Sequence, residues 1–181
     1  MSNIKTTIEQ IVRYWEPRQD ECGLSVDWAD AGKRCWRCTD AAELQRCHII
    51  PSSLNGPDTA SNFVLLCFRC HRDAPNTPDS DFIWKWLRAY AASCYGFFWF
   101  ERALQEFERI YQRKAFVQLL ANAETGTNLD SISQQMPQLM KQEFGRLIAH
   151  YGEGMANASS MAWALAQVEK KMVNLAGHSE V

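Results

Sequence analysis

The chain has 181 residues, of which 46% are hydrophobic and 22% charged, and its formal net charge at pH 7 is −2. This length suits one compact domain, or a small module with an extension, and allows a real apolar core. The sequence has no run of apolar residues long enough to span a bilayer, and its first residues lack the order of a secretion signal. We therefore expect a cytoplasmic protein with no membrane partner, and any phosphate binding has to come from local clusters of basic residues.

The first predicted element is an amphipathic helix over residues 4–15, which stops near Pro17. Its apolar positions are Ile4, Ile8, Ile11, Val12 and Trp15. In residues 20–33 no clear period is present, but Leu24, Val26 and Trp28 alternate as they would in a short strand. The pattern therefore predicts a helix and then a short strand ahead of the cysteine-rich region.

Two Cys-x-x-Cys pairs dominate the first half of the chain. They are Cys35 with Cys38, and Cys67 with Cys70. Pairs with this spacing sit on tight turns, where two thiolates can converge on one Zn²⁺. An odd total of seven cysteines without a secretion signal argues against a disulfide framework. The sequence therefore predicts a structural zinc held by these four thiolates, and it predicts that Cys22 and Cys94 are buried small hydrophobic residues.

The segment between the two cysteine pairs has the pattern of a hairpin. Residues 44–50 and 62–66 are predicted strands, and residues 51–61 form a long loop rich in Pro, Ser, Asn, Gly and Asp. The first strand carries Cys47 and His48, and Asn62 opens the second. Basic residues also concentrate here. Residues 33–72 contain six basic and three acidic side chains, whereas residues 1–32 contain three basic and six acidic side chains.

The second half of the chain is helical by pattern. The predicted elements are an irregular segment at 74–78, a helix capped at 79–81, a long helix marked by Leu104 to Val117, a linker at 122–130, a helix with Pro137 in its first turn that ends at 152–154, and a last helix at 159–176. The last helix carries an apolar seam of Met161, Leu165, Val168, Met172 and Leu175. This seam packs either on neighbouring helices of the same chain or on a homodimer or protein partner.

The order and spacing of these residues over about 40 positions closely resemble the HNH endonuclease family. The resemblance rests on Cys35-x-x-Cys38, Cys47-His48-Ile49-Ile50-Pro51, Asn62-Phe63-Val64-Leu65-Leu66 and Cys67-x-x-Cys70-His71. It implies an α+β fold, with a ββα-metal core and a structural zinc followed by an α-helical extension. We accordingly expect an N-terminal helix and arm at 1–30, a nuclease core at 31–78 and the extension at 79–181.

The resemblance also implies an activity, the hydrolysis of DNA phosphodiester bonds, and it assigns catalytic positions to His48, Asn62 and His71. Neutral His48 suits a general base, His71 suits a ligand of a catalytic Mg²⁺, Mn²⁺ or Ni²⁺, and Asn62 can fix the loop or orient His48. Many family members carry Asp or His where this chain has Cys47, which is either a further ligand of that ion or not a ligand at all.

Nucleic-acid contacts are expected from basic residues in or beside the motif, Arg37, Arg46, Arg69 and Arg72. Small nucleases of this family often work in phage, mobile-element or anti-phage defence. Two alternatives stay open on the sequence alone. One is a catalytically inactive zinc module that binds nucleic acid or a protein partner, with Cys47 marking a lost site, and the other is a nuclease that acts on RNA.

Overall fold

The computed structural model describes residues 4–89, 97–117, 129–148 and 156–177. The chain forms two compact units, Met1–Phe98 and Trp99–Val181. A small two-stranded sheet and several helices make the protein α+β, as the sequence predicts. None of the helices in these ranges is both long and apolar enough to cross a membrane. The predicted division into domains at residues 30 and 78 stays a prediction.

The first helix, α1, spans Ile8–Trp15 and is shorter than predicted. Thr7 caps it, because the Thr7 hydroxyl accepts a hydrogen bond from the backbone N–H of Gln10 and the Gln10 side chain accepts one from the backbone N–H of Thr7. Residues 4–7 are therefore outside the helix, and their backbone groups bind other parts of the first unit. The helix buries Ile11 completely against this unit.

The strand expected at Leu24–Trp28 is absent, and this prediction was wrong. A one-turn helix, α2, runs over Gln19–Cys22 and ends at Gly23, whose φ of 59° is the left-handed conformation that glycine adopts without strain. A 3-10 turn at Trp28–Asp30 follows, started by a side-chain cap from Asp27. Two local caps thus decide the conformation of a segment whose apolar alternation was too short to make a strand.

The predicted hairpin is present. Strand β1 covers Leu44–His48 and strand β2 covers Phe63–Cys67, and they pair antiparallel with Leu44 opposite Cys67 and His48 opposite Phe63. Every residue of β2 is buried, because α1 and neighbouring segments cover the small sheet. Two helices follow, α3 at Phe68–Arg72 and α4 at Ser80–Ala89. The order β1, β2, α3 is the ββα arrangement expected from the sequence.

Helix α4 packs against the N-terminal part of the same unit. The ring of Trp84 lies 4.7 Å from the ring of Trp15, and the Arg88 Nε donates to the carbonyl oxygen of Cys22 at 3.1 Å. Ile83 and Leu87 are buried on the inward side. Cys22 is 2% exposed, and burial raises the pKa of its thiol to about 11, as expected for a small core residue that does not react.

The second unit contains three described helices, which are α5 at Phe98–Tyr111, α6 at Leu129–Phe144 and α7 at Ala158–Gly177. The first residue of α5, Phe98, lies at the boundary between the units. Helix α5 ends six residues before Val117, because the chain takes a left-handed conformation at Gln112, with φ of 54°. Pro137 lies inside α6 and not in its first turn, so this prediction was wrong. Helix α6 ends at Phe144, before the end predicted at 152–154. Residues 118–128 and 149–155, which include most of the predicted linker, lie outside the described residues, as does Cys94.

The middle of the predicted seam on α7 packs within its own chain. Val168 and Met172 are buried, and the side chains packed against them are Phe116, Met136, Leu139, Met140 and Val173. Two buried carboxylates hold the same unit together. Glu169 accepts two bonds from the Arg113 guanidinium, at 2.8 and 2.6 Å, and Glu143 pairs with Lys171 Nζ at 2.6 Å. A homodimer or protein partner on these helices stays a prediction.

Candidate functional site

The four paired cysteines converge as predicted. The sulfur atoms of Cys35, Cys38, Cys67 and Cys70 all lie within 4.8 Å of one another, and all four residues are buried. The Cys38 and Cys67 sulfurs are 3.8 Å apart. A tetrahedral Zn²⁺ with Zn–S bonds of about 2.3 Å places two of its sulfurs about 3.8 Å apart, so the cluster fits this ion. Hydrogen bonds from the other three thiols also lower the pKa of Cys67, which favours a thiolate there.

Two short turns bring the cysteines together. After Cys35 the chain closes through a hydrogen bond from Thr39 N to the Cys35 carbonyl at 2.9 Å, with Thr39 in the left-handed conformation at φ of 60°. The second pair lies at the start of α3, where Cys67 is the N-cap residue. The hairpin strand β2 therefore runs directly into the turn of the cysteine cluster, and α3 begins at this turn.

His48 is the last residue of β1, beside the second strand. It is half-buried, and its imidazole packs on the ring of Phe63 with 4.4 Å between the ring centroids. Burial lowers the pKa of His48 below its ordinary value, and the negative charge of Asp58 opposes this shift. His48 is therefore mostly neutral at pH 7, which is the form that can accept a proton.

His71 lies on α3, one residue after the last cysteine of the cluster. The Gln45 Oε1 lies 2.7 Å from the His71 Nδ1, and because an amide oxygen only accepts, Nδ1 carries the proton and donates it. This leaves the lone pair on Nε2 free to bind a metal ion, with Gln45 fixing the orientation of the ring. Burial lowers the pKa of His71, and the positive charge that His48 carries when it is protonated lowers it further.

Asn62 is committed to the loop that joins the two strands. Its Nδ2 donates to the carbonyls of Ile50 and Pro57, at 3.0 and 2.9 Å, and its Oδ1 accepts from Ile50 N at 2.9 Å. The residue is 5% exposed. Of the two roles expected for Asn62, the contacts favour fixing the loop that follows His48.

Gly56 is needed in this loop because another chain segment approaches it closely. A Cβ added at Gly56 would lie 1.7 Å from the Ile50 carbonyl oxygen and 2.9 Å from the Asn62 Nδ2. We expect Gly56→Ala to break the Asn62 contacts, to lower the melting temperature and to reduce any His48-dependent activity. Gly32→Ala is the matched control, because its nearest contact is 3.9 Å away. Equal melting temperatures for the two variants would contradict this account of the loop.

Cys47 lies next to His48 but faces the interior. It is 3% exposed, its sulfur lies 3.7 Å from the His48 carbonyl oxygen, and burial raises the pKa of its thiol to about 12. Within the described ranges, the four-cysteine cluster is the one group of three or more His, Cys, Asp or Glu ligands close enough to hold a metal ion. The structure therefore does not bring Cys47 and His71 into such a group.

The four arginines expected at nucleic acid differ in their placement. Arg37 is 4% exposed, with its guanidinium 4.2 Å above the Trp86 ring and its Nη1 3.2 Å from the Asp73 carboxylate. This burial contradicts the expected phosphate contact at Arg37, which instead ties the first cysteine turn to the helices that follow. Arg69 is half-buried and Arg72 is exposed.

Arg46 and an unexpected residue, Asp58, hold residues 4–6 beside the hairpin. The Arg46 Nη1 donates to the carbonyl oxygens of Ile4 and Thr6, at 3.4 and 2.9 Å. The Asp58 carboxylate accepts from the backbone N–H groups of Lys5 and Thr6, at 2.7 and 3.2 Å. Neither Asp58 nor Gln45 was predicted, since a polar residue in a loop or on a strand edge is usually only solvated.

The comparison with known families agrees with this geometry. Residues 33–77 match the family model described as HNH endonuclease. The matched segment contains both cysteine pairs, the hairpin, His48, Asn62 and His71, which confirms the resemblance in the sequence. No curated protein and no solved structure matches the chain. The matched segment lies entirely in the first compact unit.

Proposed function

From the HNH endonuclease match of residues 33–77, we propose that the protein is a metal-dependent endonuclease that hydrolyses DNA phosphodiester bonds. The observation that carries this proposal is that the family match falls on the segment where a zinc-compatible cysteine cluster adjoins His71, whose ring is held by Gln45 of the strand that ends at His48. Action within phage, mobile-element or anti-phage defence belongs to the same proposal.

Hydrolysis of a phosphodiester needs a nucleophile made from water and stabilisation of the negative charge that builds up on phosphorus. His48 supplies the first requirement, because its lowered pKa keeps the imidazole neutral and able to accept a proton from water. The Phe63 ring on one side of His48 limits its rotation, so the base keeps a defined direction. His48 is the general base in this proposal.

His71 would hold the catalytic divalent cation through Nε2, with water and the substrate phosphate as further ligands. When bound, a cation of this kind stabilises negative charge on the phosphate and on the leaving oxygen. Cys47 stays a buried thiol and is not a ligand, because ionising it in the interior is unfavourable. Mg²⁺, Mn²⁺ and Ni²⁺ are the candidate ions, and the zinc cluster has only a structural role.

Binding of the DNA backbone would fall to Arg69 and Arg72 on α3, next to His71. Arg46 contributes less, since one of its nitrogens already binds the carbonyls of Ile4 and Thr6. Asn62 acts as a positioning residue, because its hydrogen bonds hold the loop between His48 and β2. The chain's net charge of −2 leaves little non-specific attraction to DNA, so affinity has to come from this local surface.

One observation favours a second candidate function. The buried Cys47 stands where many family members are expected to carry a metal ligand, and among the described residues no group of three or more ligands forms around His48 and His71. A zinc module that binds nucleic acid or a protein partner without cutting would have the same fold. It would keep the cysteine cluster and lose the catalytic ion.

Cleavage and binding measured side by side separate these candidates. Zinc-loaded protein is incubated with supercoiled plasmid, linear DNA and single-stranded RNA, each with Mg²⁺, Mn²⁺ or Ni²⁺, and binding is measured in parallel. The proposal expects divalent-dependent cutting of DNA. Binding without cutting under all three ions supports the inactive module. Cutting of RNA but not of DNA means that RNA is the substrate.

A further inference from the structure

Residues Ile4, Lys5 and Thr6 lie outside any helix or strand, and four hydrogen bonds hold them. Four of their backbone groups bind two charged side chains: both carbonyls at Ile4 and Thr6 accept from Arg46, and both amides at Lys5 and Thr6 donate to Asp58. Bonds to charged groups are stronger than bonds between neutral groups. The two side chains therefore form a clamp that sets the position of this segment.

The clamp belongs to the part of the molecule that carries His48. Arg46 and His48 are two residues apart on β1, so their side chains leave the strand on the same face. Asp58 lies on the loop that Asn62 holds, and the charges of Asp58 and His48 each shift the pKa of the other. The segment at residues 4–6 is therefore next to the proposed catalytic base.

Within this segment the lysine has the most exposed side chain. Thr6 is 7% exposed, whereas Lys5 is exposed and takes part in the clamp through its backbone N–H alone. Asp58 places a negative charge close to where a phosphate has to bind, which is unfavourable for a nucleic acid. A lysine held beside that carboxylate offsets this repulsion and adds a positive charge of its own.

We propose that residues 4–6 form one wall of the catalytic site and that Lys5 binds a backbone phosphate of the DNA beside the one that is cut. This inference rests on the proposed function and names a binding residue that lies outside the segment matched by the HNH family model. The clamp of Arg46 and Asp58 positions the lysine.

The test is a double-mutant cycle on DNA affinity, made in zinc-loaded His48→Ala protein so that no cutting occurs. Binding of a labelled duplex is measured from about 50 to about 200 mM salt for the parent, Lys5→Gln, Asp58→Ala and the double variant. Lys5→Gln removes the charge and keeps the backbone contact. Lys33→Gln is the matched control, an exposed lysine of the same unit beside Val12 and Trp28 of a separate surface groove.

We expect Lys5→Gln to weaken binding several-fold and to reduce the salt slope by about one, as for the loss of one phosphate contact. Lys33→Gln should leave the DNA affinity and its salt slope unchanged. In the Asp58→Ala background, where residues 4–6 are no longer held, Lys5→Gln should have no further effect on either quantity. Unchanged binding in Lys5→Gln overturns the proposal. A Lys5→Gln effect of the same size in both backgrounds overturns the role of the clamp.

Cleavage by the wild type, measured in parallel, keeps the two proposals apart. If the wild type cuts DNA and Lys5→Gln binds DNA normally, only the proposed Lys5 contact is disproved. If the wild type binds DNA and never cuts it, the nuclease proposal is disproved. The affinity cycle then still decides whether Lys5 contacts phosphate.

Discussion

His48→Ala is expected to reduce the rate of DNA cleavage about a thousandfold, within the range that a single general base contributes. The imidazole is the one neutral proton acceptor that the hairpin places at the end of β1, and alanine removes it without touching the cysteine cluster. The measurement is the rate of plasmid conversion under single-turnover conditions, where neither product release nor DNA affinity limits the rate.

Two controls give this prediction its meaning. The zinc content of His48→Ala should equal that of the wild type, because His48 is outside the cysteine cluster. The melting temperature should fall only slightly, because the variant loses the packing of one half-buried ring on Phe63. Asn62→Ala should lower the melting temperature as well as the rate, since it removes three hydrogen bonds within the loop. Normal cutting by a folded His48→Ala protein would contradict the assignment of the base.

Cys38→Ser is expected to abolish zinc binding and to unfold the first unit. Cys38 is fully buried with its sulfur 3.8 Å from that of Cys67, so serine leaves a hydroxyl in a cluster that needs four thiolates. Binding of a structural Zn²⁺ contributes about 10–16 kcal/mol to the folding of small zinc domains, far more than a small domain can lose. The measurements are zinc stoichiometry and the thermal unfolding curve, and activity should disappear with the fold.

Cys22→Ala is the control for this prediction. Cys22 is also buried in the first unit, but it is outside the cluster, so the variant should keep one zinc and lose only the packing of a sulfur atom. Chelation of zinc from the wild type should reproduce the unfolding of Cys38→Ser. If Cys38→Ser melted like Cys22→Ala and kept its metal, the cluster would not be a structural zinc site.

Much of the site could be predicted from the sequence, because its information is local. The spacing within each cysteine pair dictates a tight turn, and the alternation around His48 together with the apolar run after Asn62 dictates a hairpin. Once the two pairs must meet at one ion, the hairpin between them has to close. The cysteine cluster and the hairpin followed from those constraints, whereas the helix α3 after the second strand was expected only from the resemblance to the HNH endonuclease family.

The site features that were mispredicted or missed have a common cause, because each depends on contacts between residues that are distant in the sequence. Arg37 had the sequence context of an exposed phosphate contact, yet Trp86 and Asp73 enclose it. Gln45 pairs with His71, 26 residues away, and Asp58 binds Lys5, 53 residues away. No periodic pattern records such pairs.

Helix boundaries show the same effect on a smaller scale. Residues 4–7 fit the apolar period of α1, but the Thr7 cap and the clamp of Arg46 and Asp58 keep them out of the helix. Pro137 was expected in a first turn because proline fits there at no cost, and the helix instead begins eight residues earlier. Tertiary packing in the second unit outweighs the hydrogen bond that the proline removes.

The most direct test is the conversion of supercoiled plasmid by zinc-loaded wild-type protein before and after addition of Mn²⁺. The account predicts no conversion without the added ion and steady formation of nicked or linear DNA once it is present, with His48→Ala inactive throughout. Persistence of the supercoiled form with Mn²⁺, Mg²⁺ and Ni²⁺ in turn, by a protein that is folded and holds its zinc, would contradict the account.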